Sequence, residues 1–180
     1  SNTGYTGSSG IELVVPLDFL LESWNMLFKH GAEIGLEPIG LLARDSLRLE
    51  AGFALYGHEI SQDFYPFETV SSWTMKIKNR DFLGKEAILE AKAKSVRVAL
   101  GIKLKGKKIP RKGYEVFIKN NKVGQITSGG FSPCLNCPIA MALLDSKLKE
   151  GDEVQVQIRG QMEEAVLCQL PFIEKIKSGT

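Results

Sequence analysis

Residues 96–105 read VRVALGIKLK, and this stretch decides the fold. Its even-numbered positions, from Val96 to Leu104, are all apolar, whereas the odd-numbered positions carry lysine, arginine, alanine or glycine. A period of two residues is typical of a strand that has one face buried and the other in water. The stretch therefore predicts a β-strand in a domain that buries one face of its sheet.

The same alternation continues towards the C-terminus. It predicts that residues 114–119 pair with residues 122–128 and that residues 154–158 pair with residues 164–170, with asparagine or glycine turns between them. Short strands at regular spacing are typical of a compact all-β domain, either a barrel or a jelly roll.

The residues before this domain have a different sequence pattern. Their patterns predict helices at residues 16–30, 41–52 and 82–94, and strands at residues 11–15 and 70–78. Trp24 falls on the apolar stripe of the first helix and is predicted to be a core residue. We therefore expect an α+β fold, in which an antiparallel-sheet layer with helices (residues 1–94) precedes a small all-β barrel or jelly roll (residues 95–180).

Composition places the chain among globular proteins. Its 180 residues are 43% hydrophobic and 24% charged, and no apolar run approaches the length of a membrane span. There is no basic-then-apolar targeting pattern at the N-terminus. The three cysteines are an odd and sparse set that suggests a reducing compartment. We expect no membrane association, and a location in the cytoplasm or, in a eukaryote, the mitochondrial matrix.

Charge is unevenly distributed along the chain. Between Lys76 and Lys112 there are thirteen lysines and arginines against three acids, although the whole chain has a net charge of only +2. Such a segment is usually a solvated face, but it can also attract an acidic partner or nucleic acid. Phe82 is its only aromatic residue, so base stacking has no platform. We expect an acidic partner and no nucleic acid.

Two arginines stand out in the helix at residues 41–52. Arg44 and Arg48 are four residues apart and so share a face. A guanidinium is a planar fork that suits a carboxylate or another flat anion. One interpretation is that both arginines pair with Asp45, Glu50 or a neighbouring strand and merely orient the helix. The other is that they bind a ligand.

Several short motifs occur in order over almost the whole chain. They are Gly4-Tyr5-Thr6-Gly7, residues 43–52 (ARDSLRLEAG), Leu55-Tyr56-Gly57-His58-Glu59, residues 81–87 (DFLGKEA), Thr127-Ser128-Gly129, Ser132-Pro133 and Ile139-Ala140-Met141. Together they resemble the T-protein family, the aminomethyltransferases of the glycine cleavage system, and more distantly the folate-binding halves of dimethylglycine and sarcosine dehydrogenases. The resemblance implies that the chain corresponds to the C-terminal portion of a larger enzyme.

This resemblance implies a function and a site. In the family, an aminomethyl group on the dihydrolipoyl arm of the H-protein gives its methylene carbon to tetrahydrofolate, and ammonia leaves. The matching positions imply that Glu12 and Arg44 contact the folate and that Tyr5 packs near the pterin. The lysine-rich segment would then meet an acidic carrier or a polyglutamate tail, for which Lys105, Lys107 and Lys108 are the test positions. Two alternatives are a folate-binding protein without transferase activity and, less favoured, a nucleic-acid-binding module.

The sequence also departs from the family. Ser8 and Ser9 stand where the family usually has an acidic pair, and Lys177 stands where it often has an Arg or Tyr, so Lys177 is not counted as a site residue. The family's acid–base Asp lies in its N-terminal half, so no catalytic residue is assigned and the chain alone is expected to be inactive. Cys134 and Cys137 have no second pair or nearby histidine, so we predict no metal site.

Overall fold

The computed structural model describes residues 1–174, in which three α-helices precede a six-stranded barrel. The helices are α1 (Leu20–Gly31), α2 (Leu41–Glu50) and α3 (Lys85–Lys94). The strands are β1 (Arg97–Leu104), β2 (Glu115–Ile118), β3 (Asn121–Ser132), β4 (Cys137–Asp145), β5 (Glu153–Ile158) and β6 (Gln161–Cys168). Short 3-10 turns at residues 17–19, 32–34, 66–68, 72–74 and 77–79 connect the helical part. The predicted class, a helix-containing region followed by a β-barrel, is confirmed.

The sheet closes in the order β1-β4-β3-β2-β5-β6, and every neighbouring pair is antiparallel. Both predicted hairpins form. The turn between β2 and β3 places Lys119 and Asn120 at positive φ, and the turn between β5 and β6 does the same with Arg159 and Gly160. Two consecutive residues of this kind match the right-handed twist of the strands that they join.

The barrel interior is the main core of the molecule. It is filled by alternating aliphatic side chains from all six strands: Leu100, Ile102, Leu104, Val116, Ile126, Ala140, Ala142, Leu144, Val154, Val156, Ile158, Ala165 and Leu167. The alternation of apolar residues in 96–105 therefore corresponds to the side chains that face the barrel interior, because alternate side chains of a strand point to opposite sides of the sheet.

A second, smaller core joins α2 to the outside of the barrel. Leu49 of α2 packs with Ile139 and Met141, which point outward from β4, and with Phe172 beyond the last strand. Gly52, at φ +68°, ends the helix, and the Phe53 amide donates to the Arg48 carbonyl at 2.8 Å. This pattern is the common left-handed helix end, which glycine adopts without steric cost. The position of α2 is thus fixed by the barrel.

Three expectations for the helical part are wrong. Residues 11–15 and 70–78 are not strands, and among the described residues before Arg97 the only β-pairing is an isolated bridge between Tyr56 and Ile60. A strand needs a partner for its backbone groups, and no other described segment supplies one. Trp24 is 53% exposed rather than buried, and it contacts Phe28 at a ring-centroid distance of 4.7 Å.

None of the helices within residues 1–174 is both long enough and apolar enough to cross a membrane. The division of the chain near Lys94 stays a prediction, although α3 ends at that residue and β1 begins at Arg97.

Candidate functional site

The glycine-rich loop at residues 3–10 lies directly against the end of α2. Gly7 has φ +78°, and a Cβ added there would lie 2.6 Å from the Cβ of Ala51, so only glycine fits the contact. The Tyr5 hydroxyl donates a hydrogen bond to the Ala54 carbonyl at 2.6 Å. The Tyr5 ring also stacks with Phe53, with centroids 5.9 Å apart. These contacts fix a pair of aromatic rings beside the helix.

Arg44 lies over this aromatic pair. Its guanidinium carbon is 4.5 Å from the centroid of the Tyr5 ring, a cation–π distance, and the side chain is exposed. No carboxylate within residues 1–174 lies at ion-pair distance from it. The exposed guanidinium therefore keeps donors for an incoming group while it lies over the Tyr5 ring.

Glu12 lies just beyond this loop. It is exposed, its carboxylate accepts a hydrogen bond from the Thr3 hydroxyl, and its backbone pairs with Ser1 in both directions at 2.9 Å. Between the described residues there is no hydrogen bond or ion pair from Glu12 to Arg44 or Tyr5. Of the three predicted folate contacts, the structure joins Arg44 to Tyr5 and leaves Glu12 apart. Their roles stay predictions.

An open cavity of about 360 Å³ runs along the loop beside these side chains. It is lined by loop residues and by the aromatic ring that stacks on Tyr5: Asn2, Thr3, Gly4, Gly7, Ser8, Ser9, Gly10 and Phe53. Backbone and small polar groups dominate this lining, and one aromatic ring adds a flat apolar surface. Such a mixture suits a planar ligand with polar edges.

Arg48, one turn further along α2, has the opposite environment to Arg44. It is 2% exposed and donates to Asp45 Oδ1 at 2.7 Å and to the hydroxyl of Ser128, on β3, at 3.1 Å. Its Nη1 is also 3.6 Å from Oε2 of buried Glu59. The orienting interpretation therefore holds for Arg48, which ties α2 to the barrel, and it fails for Arg44.

Burial and nearby charged side chains shift the pKa of the Tyr5 hydroxyl. Burial raises the pKa of the Tyr5 hydroxyl above its usual 10.0, the negative charges of Glu59 and Asp45 raise it further, and the positive charges of Arg48 and Arg44 oppose them. The phenol therefore stays protonated at neutral pH and keeps its hydrogen bond to the Ala54 carbonyl.

His58 completes the link between the helical part and the barrel. Its Nδ1 lies 2.8 Å from the Thr127 carbonyl and 3.1 Å from the Ser128 hydroxyl. These contacts are structural, because both partners are on β3, the strand whose Ser128 also accepts from Arg48.

Glu50 secures the far end of α2. Its Oε1 accepts hydrogen bonds from the Ser132 hydroxyl at 2.5 Å and from the Cys134 amide at 3.2 Å. Its backbone carbonyl accepts from the amides of Phe172 and Ile173 at 3.0 and 3.2 Å. One buried residue thus fixes both the β3–β4 loop and the segment after β6 against the helix.

The structure balances part of the basic segment. Lys105 pairs with Glu153 and Glu164 at 2.9 and 3.4 Å, and Lys108 pairs with Glu163 at 2.7 Å. These carboxylates come from β5 and β6, far away in sequence, so the charge count along the chain overstates the local positive charge.

The surroundings of two cysteines disfavour their thiolate forms. The hydrogen bond and negative charge of Glu50 raise the pKa of the Cys134 thiol, and burial raises that of Cys168 to about 11. All three cysteines are free thiols. Within residues 1–174, no group of three or more His, Cys, Asp or Glu side chains could hold a metal ion. Lys177 lies outside the described residues.

Comparison with known proteins shows to which family this chain belongs. Residues 1–79 match the model of the GCVT N-terminal domain, and residues 97–174 match that of the glycine cleavage T-protein C-terminal barrel domain. Aminomethyltransferases from Alkaliphilus metalliredigens and Thermotoga maritima are each 44% identical, over 97% and 96% of this chain. The chain belongs to the T-protein family. Its T-protein motifs are those that carry the Tyr5 loop, α2 and the barrel.

A solved structure supports the same placement. This T-protein chain matches the crystal structure of glycine cleavage system aminomethyltransferase T from Bartonella henselae with a TM-score of 0.87 and 34% identity. The match covers 97% of this chain and 49% of that one. The chain likewise spans about half the length of the curated T-protein relatives that it matches, between 47% and 49% of three of them.

Sequence reasoning missed several residues of the candidate site. Phe53 was not among the predicted site residues, although its position directly after the helix-ending Gly52 was a signal that it would lie beside α2. Buried Glu50 and Glu59 gave no local signal, since charged residues in such segments are usually exposed. Their burial depends on barrel strands more than 60 residues away.

Proposed function

We propose that this chain is the folate-binding portion of a tetrahydrofolate-dependent aminomethyltransferase. The complete enzyme transfers the methylene carbon from an aminomethyl-dihydrolipoyl H-protein to tetrahydrofolate and releases ammonia. The observation that carries the proposal is the exposed Arg44 guanidinium held 4.5 Å above the Tyr5 ring, beside the open cavity of the glycine loop.

The chemistry of tetrahydrofolate suits this arrangement. A pterin is flat and has polar edges, so the Phe53 ring that lines the cavity can cover one face of it while the Arg44 fork donates to a carbonyl or anionic edge. The Glu12 carboxylate is exposed and can accept paired hydrogen bonds from the 2-amino group and a ring nitrogen. The glycines of the loop allow the backbone to approach the ligand closely.

By itself, this chain would bind folate without catalysing the transfer. The resemblance places the acid–base Asp of the family in the half that this chain does not match, and none of the residues around Tyr5 and Arg44 takes that role. The lipoyl-bearing H-protein would be the carrier partner, attracted by lysines of the segment between Lys76 and Lys112 that have no carboxylate beside them. The sparse free thiols favour a reducing compartment, the cytoplasm or the mitochondrial matrix.

Calorimetric titration with tetrahydrofolate tests the assignment. We expect saturable binding by the wild-type chain, mixed with the portion of the Thermotoga maritima relative that this chain does not match, and binding weakened about tenfold or more by Arg44→Ala. Arg44→Lys should recover little, because an ammonium is not a planar fork. Arg80→Ala, which removes another exposed arginine, is the matched control and should leave affinity unchanged. Equal binding by wild type and Arg44→Ala would refute the site.

A further inference from the structure

Two buried charged side chains hold the backbone of residues 53–55, the segment that follows α2. The Phe53 amide donates to the Arg48 carbonyl at 2.8 Å, and the Phe53 carbonyl accepts from Nη1 of Arg48 at 3.3 Å. At the other end of the segment, the Leu55 amide donates to Oε2 of Glu59 at 3.0 Å. Because both ends are bonded to buried groups, the segment cannot move without breaking hydrogen bonds that no water replaces readily.

This segment supports the aromatic pair of the candidate site. Phe53 supplies one ring, and the Ala54 carbonyl accepts the 2.6 Å hydrogen bond from the hydroxyl of Tyr5, which carries the other ring. The guanidinium carbon of Arg44 lies 4.5 Å from the centroid of the Tyr5 ring. The surroundings of Arg44 therefore depend, through this ring, on the position of the Ala54 carbonyl.

Glu59 itself is fixed by the barrel. It is 3% exposed and lies beside Thr127 and Met141, with which it lines one small internal void. Its neighbour His58 is bonded through Nδ1 to the Thr127 carbonyl at 2.8 Å. The barrel wall thus sets the place of the Glu59 carboxylate, and the carboxylate sets the place of the amide that donates to it.

The charge of Glu59 also reaches the phenol of Tyr5. Burial raises the pKa of the Tyr5 hydroxyl, the positive charge of Arg48 lowers it, and the negative charge of Glu59 raises it. Glu59 therefore lies close to the phenol, although its hydrogen bond goes to the Leu55 amide.

We infer that Glu59 is a positioning residue of the candidate site. By accepting the hydrogen bond from the Leu55 amide, it fixes the adjoining Ala54 carbonyl, and this carbonyl holds the Tyr5 ring beneath Arg44. Glu59 is not among the described residues that line the open cavity, so it acts through the ring and not on the ligand. The inference rests on the proposed folate site, since it explains what keeps that site in place.

Two substitutions separate the hydrogen bond of Glu59 from its charge. Glu59→Gln loses the charge but keeps an oxygen for the Leu55 amide, and its nitrogen replaces Oε1, which has no hydrogen-bond partner within residues 1–174. Glu59→Met has a similar length but only a weak acceptor. In the titration described for Arg44→Ala, we expect Glu59→Met to weaken tetrahydrofolate binding about tenfold and Glu59→Gln to stay within about twofold of wild type.

Nuclear magnetic resonance without folate measures the position of the segment directly. In Glu59→Met, the Leu55 amide should exchange with solvent about tenfold faster or more, and the ring signals of Tyr5 and Phe53 should shift. Both should stay close to wild type in Glu59→Gln. Unchanged methyl signals of Val116, in the barrel interior, show that the fold is intact in each variant.

The matched control is Glu68→Met, which tests whether loss of a buried carboxylate is by itself sufficient. Glu68 is also 3% exposed, accepts from the Tyr65 amide at 3.1 Å and pairs with Arg97. Its hydrogen bonds to described residues involve none of residues 53–55. Glu68→Met should leave the Tyr5 ring signals and the affinity for tetrahydrofolate unchanged.

Separate outcomes decide the positioning role of Glu59 and the folate assignment. Unchanged Leu55 exchange and Tyr5 signals in Glu59→Met overturn the positioning role, as does unchanged affinity in that variant beside a loss in Arg44→Ala. Equal losses in Glu59→Gln and Glu59→Met also overturn it, since the charge and not the hydrogen bond would then hold the ring. Absence of tetrahydrofolate binding by wild type refutes the folate assignment alone, because the folate-free signals still decide the positioning role.

Discussion

At the scale of single residues, Arg44 and Arg48 show how one helix turn separates two uses of the same side chain. Arg44 stays exposed above the Tyr5 ring, whereas Arg48 is buried among Asp45, Glu59 and Ser128. The sequence places both on one face and could not distinguish them, because the difference arises from β3, some 80 residues further along the chain.

We expect Arg48→Ala to lower the free energy of unfolding by about 3 kcal/mol, because it leaves the buried Glu59 carboxylate without a positive partner. Chemical denaturation measures the loss. Arg80→Ala is the control and should change stability by less than about 0.5 kcal/mol, since that residue is exposed. Similar values for the two variants would show that the Arg48 network contributes little.

Glu68 gives a prediction about pH. Burial by itself would raise the pKa of this carboxyl, but hydrogen bonds from Arg97, from the Ser95 hydroxyl and from the Tyr65 amide outweigh it and hold the pKa below the usual 4.5. A depressed carboxyl pKa stabilises the fold above pH 4.5, and this contribution is lost as the pH falls through the folded-state pKa.

Glu68→Gln should therefore destabilise the protein by about 2 kcal/mol at pH 7, and by progressively less as the pH falls below 4.5. Denaturation at several pH values measures the difference between variant and wild type. Glu86→Gln, in exposed α3, is the comparison and should give a small difference at every pH. A constant difference between Glu68→Gln and wild type would contradict the ion-pair explanation.

At the scale of elements, the contact between α2 and β4 positions the candidate site. Leu49 is 1% exposed and packs on Ile139 and Met141, so Leu49→Ala should cost about 3 kcal/mol in unfolding free energy and loosen the helix that carries Arg44. Leu42→Ala removes the same atoms from the same helix at an 85% exposed position. It should cost less than about 0.5 kcal/mol by the same denaturation measurement.

The elements also show where sequence patterns suffice. The alternation in residues 96–105 predicted β1 because only one of its faces meets the core, and the two hairpins followed for the same reason. β4 was not predicted as a strand. Its residues read CPIAMALLD, a continuous apolar run, because one face lines the barrel and the other meets α2. The strands predicted at residues 11–15 and 70–78 are absent for a different reason. Their sequence patterns favour strands, but no described segment pairs with them.

The residues of the candidate site also divide into those that the sequence predicted and those that it did not. Arg44, Tyr5 and Glu12 were found because motifs resembled a family, and the loop and helix that carry Arg44 and Tyr5 do meet in the structure. Phe53, Glu50 and Glu59 were not found, because their positions depend on packing between distant segments. Local periodicity contains no information of that kind.

At the scale of the whole molecule, stability should be strongly uneven. Hydrogen exchange of this chain alone should be slowest in the barrel strands, intermediate in α2 and fastest in α1, whose apolar face is exposed. Mass spectrometry of peptic peptides measures the rates. Helix α2 is the internal comparison, since it is of similar length but packs on the barrel. Equal protection in α1 and α2 would contradict this difference.

The hydrogen bonds from the Phe172 and Ile173 amides to the Glu50 carbonyl have a consequence for synthesis of the chain. Residues 171–173 are translated more than 120 positions after α2, when all six barrel strands have been made. Before that, Arg48, Leu49 and the Glu50 side chain can already join α2 to the barrel. Nascent chains truncated before Phe172 would therefore hold the Arg44 helix on the barrel but lack the two hydrogen bonds to the Glu50 carbonyl.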